Sequence, residues 1–171
     1  MGLKFSDIPE ETNIFVDSNI LLYVFLKHHL FHASCHTLIQ RIENSEINGY
    51  CNDFVFNEVI HKLMITALVN FYHCSPYEAV SLIKRKPEIL NEFPELWQAG
   101  ELLQALGLTI ISGPFFPDAV NLAEKYHLLI TDAVHVAAMK KEGITHIATN
   151  DVDFERIPFL EISKPHREGT G

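Results

Sequence analysis

Four carboxylates interrupt apolar patterns that otherwise read as buried secondary structure. In "NIFVDSNILLYVFL", Asn13 to Leu26, the run Ile14, Phe15 and Val16 has the length of a short buried strand. Ile20, Leu21, Leu22, Val24 and Phe25 form the apolar face of a helix, and Asp17 falls at the junction. In "HIATNDVDFERI" an apolar strand through Ile147 runs the same way into Thr149, Asn150 and Asp151. Asp132, in "LLITDAVHVAAMKK", opens a helix whose face continues through His135, Val136 and Met139. Glu58, in "NDFVFNEVIHKLMITALVN", lies off the main stripe of Phe56, Val59, Ile60, Leu63, Met64 and Ala67. It shares a second apolar row with Phe54, Ile65 and Val69, where an isolated buried charge is costly and needs a partner. Carboxylates gathered within a few ångströms repel one another and take up protons unless a cation neutralises them. Magnesium suits such a set, because it prefers oxygen ligands at about 2.0 to 2.1 Å and keeps waters. A water on such an ion becomes a nucleophile near neutral pH, and the ion stabilises the attacking and leaving oxygens of an in-line displacement at phosphorus.

Each acid also has an ordinary reading. Asp17, Asp132 and Asp151 can cap the helices that follow them, since Asp favours N-caps. Glu58 can pair with Lys62 at i,i+4, an arrangement that stabilises a helix by about 0.2 to 0.5 kcal/mol. Their company changes the balance, because acids at the ends of two strands and the starts of two helices can converge in a parallel α/β layer.

The elements that must position them follow from the same patterns. Candidate strands lie at 13–16, around 49–51, at "LTII" 108–111, at "HIAT" 146–149 and near 159–162, with helical patterns between them. Such alternation predicts an α/β fold with a mainly parallel sheet, whose ligands gather at the carboxyl ends of the strands. Between about 53 and 106 the pattern is helical and punctuated by Pro76, Pro87 and Pro94, which predicts consecutive helices projecting from the sheet. The polar stretch "SKPHREGTG" from Ser163 predicts a flexible tail, 163–171, after one domain over 1–162.

Composition narrows the function classes. A chain of 171 residues, 47% hydrophobic and 20% charged, is long enough to bury a core. No stretch reads as a leader or stays uncharged for the ~20 residues of a membrane span, which predicts a soluble cytoplasmic protein with no membrane partner. Cys35, Cys51 and Cys74 are odd in number and widely spaced, as expected of reduced, packed thiols. A net charge of -9 argues against a broad basic nucleic-acid surface, although carboxylates gathered in one site contribute to it and Lys84-Arg85-Lys86 and Lys140-Lys141 form small basic clusters. "HHLFHASCH" places His28, His29, His32, Cys35 and His36 together, and His32 with His36 at i,i+4 could hold zinc; no second ligand group with zinc spacing accompanies it, so solvated or lightly packed histidines are expected. His61 and His135 lie close to acids in sequence, and packed or hydrogen-bonded roles are expected of them.

Taken together, "FVDSN" at Asp17, "NEVIHKL" at Glu58, "TDAVHVAAM" at Asp132 and "ATNDVDF" at Asp151 resemble the PIN-domain family of metal-dependent ribonucleases, including the VapC-like toxins of toxin-antitoxin pairs. The resemblance spans about 13 to 160. It implies a three-layer α/β/α domain with a helical protrusion, a pocket holding Mg2+ or Mn2+, and hydrolysis of RNA to a 5′-phosphate and a 3′-hydroxyl. Carried over, Asp17, Glu58, Asp132 and Asp151 are the acidic quartet that serves catalysis and metal binding, and Asp153 matches a further metal-binding acid. Ser18, Asn19, Thr149 and Asn150 match the small polar residues beside those acids. The resemblance also implies a homodimer and an antitoxin partner. The helical stretch between Glu58 and Asp132 is longer than in minimal members. Two rival readings exist. A phosphatase of the haloacid dehalogenase type also starts with an aspartate after an apolar strand, but it needs another acid two residues on, where Asn19 stands. A catalytically inactive module binding RNA or protein would gain nothing from clustered, repelling acids.

Overall fold

Ile14, Phe15 and Val16 have no solvent exposure, and their strand, β1 (Asn13–Val16), is the middle one of five. The computed structural model describes residues 3–167. β2 (Asn48–Cys51), β3 (Thr109–Ile110), β4 (His146–Ala148) and β5 (Glu161–Ser163) complete a sheet of order β3-β2-β1-β4-β5 in which every neighbouring pair is parallel. All five expected strands are present. Parallel neighbours require crossovers, and helices supply them. α1 (Ser18–Phe25) and α2 (His32–Glu43) join β1 to β2. α3 (Asp53–Tyr72), α4 (Pro76–Arg85) and α5 (Glu95–Ala105) join β2 to β3. α6 (Phe116–Tyr126) and α7 (Ile130–Lys141) join β3 to β4. The result is an α/β/α sandwich with its core on both faces of the sheet.

Strand order decides where a ligand can sit. The chain leaves β1 toward β2 and β3, then crosses to β4 on the other side, so the winding reverses between β1 and β4. Loops leaving the carboxyl ends of those two strands diverge and open a crevice. Val16 is in register with Ala148, and the Asp17 amide donates to the Ala148 carbonyl at 3.1 Å. Asp17 and the Thr149–Asp151 segment therefore emerge together at that crevice.

The prolines punctuate as expected. Pro76 is the first residue of α4, behind a Ser75–Glu78 capping box; Pro87 starts a 3-10 turn and Pro94 precedes α5. α7 is buried from Ala133 through Met139, consistent with an apolar pattern on all sides.

Two expectations need correction. In α3 the fully buried residues are Val55, Val59, Leu63 and Leu68, with the expected Phe56, Ile60, Met64 and Ala67 only partly covered, while Phe54 is 49% exposed. The stripe drifts because a 3.6-residue turn moves it around a 20-residue helix, and Phe54, in the first turn, borders an open cleft rather than the core. α3 is long and apolar enough to cross a membrane by length and composition, with a mean hydropathy of 1.3 over 18 residues, but Glu58 and Lys62 interrupt it, so the expectation that no stretch of that length stays uncharged holds. Finally, the chain does not fray at Ser163, which is buried at the end of β5 and bonds His146 Nε2 at 2.8 Å. Pro165 is buried, and the His166 amide donates to Ser34 Oγ at 3.2 Å, because backbone pairing with β4 carries order past the polar sequence. The rest of the expected tail, 168–171, lies outside the described residues.

Candidate metal centre

Asp17 is 5% exposed and has extended backbone as the N-cap of α1, so the ordinary capping reading is part of its role. Its Oδ1 accepts from the Ser18 amide at 2.7 Å. Its Oδ2 accepts from Thr149 Oγ1 at 2.6 Å and from Asn19 Nδ2. Burial raises the carboxyl to about 6; the bonds from Thr149 and Ser18 oppose the shift, and the charges of Glu58 and Asp151 add to it. Asn19 also donates to Thr149 and accepts from the Asn150 amide at 3.1 Å, pinning the loop after β4 to α1. A donor thus occupies the place where a dehalogenase-type phosphatase would need its second acid.

Beyond Thr149, Asp151 and Asp153 are placed by a tight local turn. The Asp151 amide donates to Thr149 Oγ1 at 3.0 Å, and the Asp153 amide donates to Asp151 Oδ1 at 2.8 Å. Asp151 caps no α-helix. Asp153 opens a 3-10 turn, Asp153–Arg156, and pairs with Arg156 at 2.6 Å. Asp132 enters from α7, where it is the third helical residue rather than the N-cap, which is Leu129. One carboxylate oxygen each from Asp132, Asp151 and Asp153 lies within 4.8 Å of the others. Partial burial, followed by the charges of Asp17, Asp151, Glu58 and Asp153, raises Asp132 to about 6. Asp151 and Asp153 thus come within metal-ligand distance of Asp132, which also feels the charges of Asp17 and Glu58.

Glu58 behaves differently. Burial works to raise its carboxyl, but the bond and charge of Lys62 and the hydroxyl of Ser18 outweigh it and hold Glu58 below the usual range. The Lys62–Glu58 contact is 2.6 Å long, so the ordinary i,i+4 pairing also exists. Two aspartates pushed up beside a glutamate held down make a set in which one carboxylate stays ionised while others favour protons.

Sequence reasoning missed the support behind these acids. Asn52 caps α3 by accepting from the Val55 amide at 3.2 Å and donates from Nδ2 to His135 Nδ1 at 3.1 Å, tying the helix of Glu58 to the helix of Asp132. An Asn before an apolar helix is a visible cap signal; its partner, 83 residues on, is not. His135 is fully buried, and burial pushes it down to about 4, so it is neutral with its proton on Nε2, a buried atom with no hydrogen-bond partner. Asn150 Nδ2 donates to the Tyr23 hydroxyl at 2.9 Å, and Tyr23 packs on His28 and Phe31 at ring separations of 4.7 and 5.0 Å. His32 and His36 stack at 5.6 Å. Among the described residues, the acids with metal-ligand spacing are Asp132, Asp151 and Asp153. His61 is exposed on α3.

The donor set fits a hard divalent cation: it is all carboxylate oxygen, and it raises the pKa of its own central member, a repulsion that a cation relieves. A PIN domain family model matches residues 14–160. Ribonuclease VapC2 of Methanocaldococcus jannaschii is 35% identical over 153 residues, which are 90% of this chain and 94% of that protein. Ribonuclease VapC6 of the same organism is 25% identical, over 90% of this chain and 97% of its own length. Two solved structures share the fold at 16% identity. One is a toxin-antitoxin complex from Klebsiella pneumoniae, with a TM-score of 0.54 over 86% of this chain and 94% of that one. The other is VapBC2 from Rickettsia felis bound to a DNA fragment from their promoter, with a TM-score of 0.52 over 90% of this chain and 99% of that one.

Proposed function

The chain belongs to the PIN domain family, and from that premise we propose that it is the ribonuclease toxin of a toxin-antitoxin pair, hydrolysing RNA phosphodiester bonds at the acidic centre with Mg2+ or Mn2+. The observation that carries this reading is the gathering of Asp151 and Asp153 within metal-ligand distance of Asp132, whose carboxyl is raised by burial and then by the charges of Asp17, Asp151, Glu58 and Asp153, a repulsion that a cation would relieve.

Within the centre the residues divide the work. Asp132, Asp151 and Asp153 present oxygens within 4.8 Å of one another and would hold the ion. Asp17, fixed by the Ser18 amide, the Thr149 hydroxyl and the Asn19 amide, would add its charge beside that group with no side-chain freedom left to lose. When bound, a divalent cation lowers the pKa of a coordinated water and offsets the charge that grows on the phosphoryl and leaving oxygens. Glu58, kept ionised beside Lys62, would assist the ion or orient the attacking water by accepting a hydrogen bond from it. Asn19 and Thr149 hold the loops of β1 and β4 together, so the acids keep their spacing during the reaction.

The partners follow from what the surface leaves uncovered. Only 22% of the apolar window of α3 is buried within one chain, and a groove of about 340 Å³ runs between α1, α3 and α5, lined by Phe25, Leu26, Leu63, Ala67, Leu96 and Leu102. We assign this face to a second copy of the chain and the mouth of the acidic centre to an antitoxin that places a basic side chain among the carboxylates. Cys35 and Cys51 are buried and pushed up to about 12, inert thiols that suit a cytoplasmic enzyme.

The test is cleavage of a single-stranded oligoribonucleotide with Mg2+ or Mn2+. Asp17→Asn is expected to abolish it, and EDTA-treated protein is expected to be inactive. Equal rates with and without metal would exclude the metal-dependent mechanism.

A further inference from the structure

The protein has a second cleft at the edge of the acidic centre that no step of the proposed hydrolysis uses. Phe54, Phe115, Phe116, Ile130, Thr131 and Val134 line a cavity of about 370 Å³ between the starts of α3, α6 and α7. Three of these apolar side chains face solvent: Phe54 at 49%, Phe116 at 68% and Ile130 at 45% exposure. The cleft is joined to the site through the chain itself. Phe54 lies one helical turn before Glu58, which brings their Cβ atoms within about 6 Å, and Ile130 and Thr131 immediately precede Asp132.

We propose that this cleft is a base-stacking subsite, which takes one nucleobase of the single-stranded RNA flanking the scissile phosphate against the ring of Phe54. The assignment rests on the ribonuclease reading and deepens it. Charge gives the first reason. The chain carries a net charge of -9; Lys62 and Arg156 are already engaged by Glu58 and Asp153, and Lys141, over the ring of Phe115 at the cleft, donates to the Ser112 carbonyl. Phosphate neutralisation by side chains is therefore a poor source of affinity here, whereas base–aromatic stacking works on a surface of any charge. Size gives the second. The cavity is at the small end of small-molecule sites, about 300 to 1,000 Å³, and accommodates a base rather than a protein helix. Geometry gives the third. A base seated beside Phe54 and Thr131 holds its own phosphate next to Glu58 and Asp132, so binding in the cleft presents the bond to be cut.

The test compares steady-state cleavage by wild type, Phe54→Ala, Phe54→Trp and Phe116→Ala. Phe54→Ala is expected to raise KM about 10-fold, within the range of roughly 5- to 150-fold that one stacked base is worth, with kcat nearly unchanged. Phe54→Trp should retain the wild-type KM, and Phe116→Ala should show a smaller rise. An abasic nucleotide beside the cleaved bond should raise KM for wild type by the same factor and add nothing in Phe54→Ala. Because Phe54 is half exposed, the variants are expected to keep the wild-type circular dichroism and melting curve. An unchanged KM in Phe54→Ala, or an equal abasic penalty in both proteins, would overturn the subsite and leave the ribonuclease reading intact. A Phe54→Ala protein that cleaves normally but loses self-association or antitoxin binding would also overturn it, giving the cleft to a protein partner. A wild type that cleaves no RNA with either metal would overturn both.

Discussion

Asp132 is the residue on which the electrostatics of the site can be measured. Its carboxyl is raised from 3.8 to about 6, by burial first and then by four other acids, so the folded protein holds a proton between about pH 4 and 6 that the unfolded chain has released. A folded pKa above the unfolded one contributes stability that is complete below pH 4 and lost as pH rises through 6. Asp132→Asn is therefore expected to stabilise the cation-free protein at pH 7.5 by about 1 kcal/mol, a value discounted for partial exposure, and to make no difference near pH 4. In a chain of this size that is a rise of roughly 2 to 4 °C in Tm. The comparison isolates the acid, because His135, lowered to about 4 by burial, contributes with the opposite sign in both proteins: its share is present above pH 6.5 and lost as pH falls through 4. A fall in Tm at pH 7.5 would instead make Asp132 a helix-start charge favoured by the α7 dipole. Magnesium should raise the Tm of wild type and do so much less in Asp132→Asn, by about 2.7 kcal/mol for wild type at a hundredfold excess over Kd.

At the scale of elements, the site depends on helices joined at their starts. Asn52 links the cap of α3, the helix of Glu58, to His135 on α7, the helix of Asp132. Asn52→Ala is expected to cost about 2 kcal/mol, roughly half from the cap and half from the buried donor lost at His135. Asn52→Ser should recover the cap share only, since a hydroxyl keeps the bond to the Val55 amide and is too short to reach Nδ1. Urea denaturation measures both, and identical midpoints would show that the His135 bond contributes nothing. The strands were legible because buried parallel strands read as unbroken apolar runs, as in Ile14–Val16. The start of α3 was read differently, since helical periodicity assigns Phe54 to an apolar row without stating whether another element reaches that far.

The whole molecule combines an acidic charge with uncovered apolar surface. Trp97 on α5 is 49% exposed, Leu102 57% and Phe71 on α3 61%. Light scattering at micromolar concentration is expected to give about twice the chain mass of 19.5 kDa, and Leu102→Glu should shift it toward one chain. A mass of one chain for wild type would remove the dimer. The net charge predicts a shallow salt dependence of RNA binding, with a slope well below that of proteins making 6 to 10 phosphate contacts. Fluorescence anisotropy from 50 to 200 mM salt checks this, and a steep slope would point to a basic surface supplied by the second copy.

By itself the sequence determined the strands, the succession of helices after β2 and the five acids, because burial and periodicity are local and a charge inside an apolar pattern stands out. It also determined that each acid had a plausible local partner, and two of these exist: the cap of Asp17 and the Lys62 pair of Glu58. Only the tertiary structure decided which of these acids lie near one another. Register between β1 and β4 brings Asp17 to Thr149, and reversal of the winding beside them opens the crevice that α7 enters with Asp132. The bond from Asn52 to His135, the order in 163–167 and the cleft beside Phe54 were likewise decided there, since each depends on residues far apart in the chain meeting across packed elements. Local pattern fixes which side chains are buried or exposed in an element, whereas the crossing of elements fixes what those side chains face.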